Sequence, residues 1–208
     1  MSRYRRIALG AFIAVVASSA GMVAWGAEPG SEPASAPIEG RYTPKPRGNF
    51  TLADAKGFDR FDLLYPGASA AGLSLVAVNR VSGPIEEPGV QSDRISFLYG
   101  TCTARIGHGC MPPLQIQVWN ACERYQALYP FEPDESLEVR GAPAAFYEGR
   151  TRLEIYSGMA TIVIFGKNRE QILAVGRSLK GLNRAIAQSE KLPSPAQGVR
   201  DGTLACQQ

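Results

Sequence analysis

"LEVRGAPAAFYEGRTRLEIYSGMATIVIFG", residues 137–166, decides the fold class. It contains four short runs, LEVRG, PAAFY, RLEIYSG and MATIVIFG, rich in the β-branched and aromatic residues that suit a pleated, half-buried surface. Turn residues punctuate them at Gly141-Ala142-Pro143, Glu148-Gly149 and Ser157-Gly158. Runs of this length separated by tight turns predict strands joined as hairpins, and hairpins make antiparallel sheet.

Immediately downstream the period changes. From Asn168 to Gln188 the residues Ile172, Val175, Leu179, Leu182 and Ile186 fall on one stripe, Asn168 or Lys167 opens the segment and Glu170 lies in the first turn. The pattern predicts a helix laid on one face of the sheet. Arg177, Lys180 and Arg184 would form a second stripe, read as a solvated basic face. Gly176 and Gly181 weaken such a helix by about 1 kcal/mol each but permit close approach to the sheet.

Upstream, Leu73–Val81 and ISFLYG (95–100) read as strands. LQIQVW (114–119) alternates Leu114, Ile116 and Val118 with Gln115, Gln117 and Trp119, which predicts one buried face. A helical turn is expected through ACERYQALY (121–129). The expectation is therefore an α+β domain over residues 50–188, mostly antiparallel sheet with a C-terminal helix packed on one face, followed by an irregular tail over 189–208.

The N-terminus belongs to a different class. MSRYRR precedes an uncharged run from Ile7 to Ala27. A basic start before an apolar run is the pattern of an export signal. Ser18/Ala20 and Ala24/Gly26 offer small residues for cleavage, while the run, at about 31 Å as a helix, also suits a single transmembrane anchor. Either way the following domain is expected outside the cytoplasmic membrane, secreted or anchored, with the membrane as partner if the segment is retained. Residues 28–49 are rich in Pro, Gly, Ser and Ala and read as a linker.

Charge argues against nucleic acid as a partner. The chain has 22 basic and 19 acidic residues, and Arg3, Arg5 and Arg6 are the only charges before Glu28. Removing those three leaves 19 of each sign, too little net positive charge for binding driven by counterion release.

The chemistry-bearing residues concentrate in YGTCTARIGHGCMPPLQIQVW, residues 99–119. It holds Cys102, Cys110 and His108, the only histidine. Cys122 and Cys206 complete four cysteines whose spacing matches no compact zinc motif. In an exported chain thiols pair. If ISFLYG and LQIQVW form a hairpin, Cys102 and Cys110 lie at its closed end and Cys122 at the other, about 20 Å away, which favours Cys102–Cys110 and Cys122–Cys206.

His108 is the one side chain available to a Ser-His or Cys-His mechanism, so a hydrolase or thiol enzyme would use it with a nearby cysteine or carboxylate. A metal-binding module is the other alternative. Neither the G-x-S-x-G elbow, the phosphate-binding glycine motifs nor H-E-x-x-H occurs, and no cofactor is implied. The acidic pairs Glu86-Glu87 and Asp134-Glu135 read as solvated, and Glu138 and Glu154 as polar strand positions. Tyr99 and Trp119 are the candidate binding residues, and a non-enzymatic ligand-, partner- or envelope-binding domain is the leading expectation.

The blocks LLYPGASAAGLSLVAV, FLYGTCTARIGHGCMPPLQIQVWNAC and VRGAPAAFYEGRTRLEIYSGMATIVIFG, taken in that order, resemble a group of exported or membrane-anchored proteins of actinobacterial type. The resemblance spans roughly residues 60–183 and is most specific at Y-G-x-C…G-x-C-x-P-P-L-x-I-Q-x-W. It implies a single extracytoplasmic domain and carries no activity or site residue with it.

Overall fold

The computed structural model of the chain describes residues 50–84, 91–101, 111–123, 132–201 and 203–206. The segment expected to direct export, the expected linker, Cys102, His108, Cys110 and most of the turn expected at 121–129 lie outside them; residues 121–123 are helical. Among the described residues no helix is long and apolar enough to cross a membrane.

Besides the helical residues 121–123, the described elements follow in the order α1 (Leu52–Lys56), β1 (Leu64–Tyr65), β2 (Ser69–Ala70), β3 (Leu73–Pro84), β4 (Gln91–Tyr99), β5 (Leu114–Asn120), β6 (Glu135–Val139), β7 (Ala142–Tyr147), β8 (Arg152–Ser157), β9 (Ala160–Phe165), α2 (Arg169–Ser178) and β10 (Lys180–Gly181). Eight strands form one antiparallel sheet in the order β2-β3-β4-β5-β9-β8-β7-β6. The chain thus lays one meander from β2 to β5, crosses to the far edge, and returns through β6–β9 until β9 closes against β5. The remaining pair, β1 with β10, is a separate two-stranded ribbon.

Local chemistry explains the hairpins. β6 and β7 are joined by Arg140-Gly141, both at positive φ (52° and 80°), the conformation that matches the twist of the flanking strands. The β8–β9 turn puts Gly158 at φ 55°, with Ser157 opposite Ala160.

One face of the sheet carries the main core. Ile95, Phe97, Tyr99, Leu114, Ile116, Val118, Phe146, Leu153, Ile155, Ile162 and Ile164 are all fully buried, in register across the central strands. α2 lies on this face through Ile172, Val175 and Leu179. Asn168 caps it by accepting from the backbone N–H of Gln171, 2.9 Å away. At Gly176 a Cβ would stand 3.3 Å from both Ile155 Cδ1 and Leu153 Cδ2, so the missing side chain allows the helix this close, as the sequence suggested.

Two expectations are corrected. The helix stops at Ser178 and does not continue to Gln188. Leu179 turns to an extended backbone (ψ 144°) and buries its side chain, after which Lys180-Gly181 pairs with Leu64-Tyr65. The stop is enforced by Asn183, whose amide donates to the carbonyls of Phe58 (2.7 Å) and Phe61 (2.8 Å) while its oxygen accepts from Leu63 N–H (2.8 Å). Consequently there is no helical basic stripe. Lys180 is in a strand, and Arg184 pairs with Asp62 at 2.7 Å.

β5 is the second correction, since it is buried on both faces. Gln117 and Trp119, expected to face solvent, are buried, with Trp119 Nε1 donating to Gln117 Oε1 at 3.1 Å and the Arg94 guanidinium stacked 4.6 Å from the indole centroid. Glu154 on the same face is buried too, 3.5 Å from Arg152 Nε.

Among its described residues the tail from 189 onward has no helix or strand, yet it is bonded down. Gly158 N–H donates to Ser194 O, Ala196 N–H to Gly158 O, and Leu192 N–H to Arg140 O. Arg140 adds a clamp: its guanidinium donates to the carbonyls of Leu179, Ala187 and Glu190. Leu192 and Val199 are buried, and Cys206 is disulfide-bonded to Cys122 with 5.2 Å between their Cα atoms.

Candidate functional site

The candidate site lies at the β3–β4 end of the core face, where alternation brings charge to positions that should be apolar. On β4, Asp93 shares the inward parity of Ile95, Phe97 and Tyr99; on β3, Arg80 shares that of Val78. Asp93 is fully buried.

Two guanidinium groups converge on it. Arg80 binds it in a two-point fork, Nε to Oδ1 at 2.7 Å and Nη2 to Oδ2 at 2.6 Å. Arg60, from the segment after α1, reaches Oδ2 through Nη1 at 2.5 Å. A second buried acid stands behind: Glu123 Oε2 accepts the backbone N–H of Asp93, and its Oε1 lies 3.9 Å from Arg60. Burial pushes the Glu123 carboxyl up to about 7, against the lowering effect of the Asp93 N–H and of Arg60. The fork on Asp93 raises the Arg80 guanidinium above its ordinary value.

In front of this cluster opens a cleft of about 520 Å³ lined by Phe50, Ala53, Gly57, Phe58, Arg60 and Arg80, with Asp54 and Asp59. The Arg80 guanidinium lies 5.3 Å from the Phe58 ring centroid and 5.9 Å from that of Phe50. α1 holds this wall in place. Thr51 and Asp54 form a reciprocal capping box, which commits the Asp54 carboxylate to the helix start and lowers its pKa. The cleft therefore has aromatic walls and an arginine floor.

The residues singled out from sequence are dispersed. Tyr99 is wholly buried in the core face; its hydroxyl donates to Gly67 O at 2.9 Å and burial pushes its pKa up. Trp119 is on the opposite face and at the other end of the β4–β5 ladder, opposite Arg94, while Tyr99 is opposite Leu114. The two do not converge. Cys122 and Cys206 are joined, as the hairpin argument requires. Among the described residues no three His, Cys, Asp or Glu side chains gather into a metal site.

Arg60, Arg80, Asp93 and Glu123 were missed from sequence. The signal was available for two of them, because a charge at the apolar parity of a strand marks an inward-facing ion pair. It was absent for Arg60, which arrives from the loop after α1, and for Glu123, which arrives from the helical turn after β5. No known protein family matches the chain, and no similar protein was found among curated sequences or solved structures.

Proposed function

We infer that the chain is an exported, disulfide-tied binding domain that acts through recognition. The observation that carries this reading is the Cys122–Cys206 bond, which joins residues 84 positions apart and suits a chain that begins with three arginines and an uncharged apolar run. Recognition is supported by the cleft beside α1 and by the use of its charges. Asp93 is saturated by two arginines and Asp54 by its helix cap, so these carboxylates serve architecture. The ligand surface in this reading is formed by Phe50, Phe58 and the half-exposed Arg60.

The test is a fusion of residues 1–49 to a reporter enzyme that is active only after crossing the cytoplasmic membrane. Activity that disappears when Arg3, Arg5 and Arg6 are replaced by Glu supports the reading. A reporter that stays inactive with the native segment overturns it.

A further inference from the structure

The sheet has two edges, and they are built differently. The β6 edge is short and charged: Glu135 is held by Arg169 at 2.5 Å, Glu138 is exposed, and Val139 ends the strand. Charge and brevity are the usual protection of an edge against further pairing. At the opposite side β2 covers β3 only at Leu73 and Ser74, and Ala68 O takes the N–H of Leu75. From Val76 to Ser82, β3 is paired with β4 along one side only. Among the described residues no strand lies along the other.

That open stretch reads VAVNRVS. Its single charge is Arg80, whose guanidinium is turned inward onto Asp93. A register shift between Leu75 and Ala77 bounds it at one end, and Pro84, which lacks an N–H, at the other. In between, alternate backbone N–H and C=O groups point away from β4.

We propose that this edge is the surface through which two copies of the chain associate, β3 against the partner's β3, antiparallel about a two-fold axis at Asn79. An antiparallel strand pair is self-complementary, so the same edge serves both copies and the assembly closes. With Asn79 on the axis, Ala77 lies opposite the partner's Val81 and Val78 opposite the partner's Arg80. No like charges stand directly opposite each other; the two Arg80 residues are diagonal neighbours on one face, each neutralised by its own Asp93. Centring on Arg80 would instead set two guanidinium groups opposite each other. Long-range repulsion is absent as well, because residues 28–208 balance 19 positive against 19 negative side chains. The open stretch is short, so the dimer is concentration-dependent and not obligate.

The experiment uses the full chain in mild detergent, with sedimentation across a wide concentration range and oxidative cross-linking of an Asn79→Cys variant. Directly opposed residues of an antiparallel pair are within disulfide reach. The expected result is a reversible dimer, a covalent dimer whose linkage maps to position 79, no such product from Ser136→Cys on β6, and association weakened tenfold or more by Val81→Lys. A chain that remains monomeric throughout with no cross-link overturns the proposal. So does a dimer that links only through another surface, or an Asn79→Cys product containing a different polypeptide.

Discussion

The buried carboxylate of Glu123 accepts the backbone N–H of Asp93, so one acid anchors the main chain of another at the point where two arginines converge. This relationship has a pH signature. Burial raises the Glu123 carboxyl in the fold to about 7 from an ordinary 4.5, which means the folded state holds that proton more tightly than the unfolded chain. Its contribution is complete below about pH 4.5, falls as pH rises toward 7, and is flat above. The amount lost is about 3 kcal/mol. Urea unfolding from pH 5 to 8 is expected to show this decline. Glu123→Gln, which can still accept the Asp93 N–H, removes it and is the more stable protein at pH 8. Parallel pH profiles for the two proteins would refute the assignment.

Cys206 fixes the end of a tail that has no regular structure. Closing a loop between residues 84 apart restricts the unfolded chain by about 4.5 kcal/mol in the entropy estimate, and measured values run lower. Cys206→Ser should therefore cost about 2–4 kcal/mol in urea unfolding, and reducing agent should destabilise the native protein without further destabilising the variant along this route. The tail should also gain amide exchange at Leu192, Ala196 and Leu204, whose N–H groups are bonded in its folded path.

Asn183 replaces a helix with a staple. Its side chain satisfies two carbonyls and one N–H from the segment 58–63, and an alanine would strand all three in a partly buried setting. The expected cost of Asn183→Ala is about 2–4 kcal/mol, with Asn183→Asp at least as costly because its second carboxylate oxygen would face the Phe58 and Phe61 carbonyls to which the amide now donates. Thermal or urea unfolding of the two variants checks the order.

Gly181 is needed for space. A Cβ there would lie 2.0 Å from the carbonyl oxygen of Arg184 and 2.9 Å from the nitrogen of Ile186, both backbone atoms. Gly181→Ala is expected to destabilise by at least about 1–3 kcal/mol, since the turn after β10 must shift. Gly176→Ala meets only side-chain methyl groups at 3.3 Å and gains helix propensity, so its cost should be much smaller. Equal effects at the two positions would contradict the packing described here.

Much of the fold was legible in residues 137–166, because each run was short, β-rich and bounded by turn residues, and all four strands form there. The helix was legible at its start, where Asn168 caps it, and illegible at its end. Leu182 and Ile186 keep the apolar spacing, and only the distant carbonyls of Phe58 and Phe61 decide that Asn183 turns the chain away. Gln117 and Trp119 misled for a related reason: alternation identifies two faces but not whether the polar one is covered. α1 is legible in Thr51-Leu52-Ala53-Asp54, whose first and last residues form its capping box. The charged cluster needed four segments in register, and no local pattern carries that information.

The Cys122–Cys206 bond, which ties the tail to the start of the helical turn after β5, is the observation on which the proposed export rests. Peptide mapping without reduction, on full-length or processed chain isolated from the envelope or medium and alkylated on lysis, tests it directly. The expected product is a linked peptide pair containing Cys122 and Cys206, with neither residue alkylated. Recovery of both as alkylated thiols, or a pair joining Cys102 to Cys122, would contradict it.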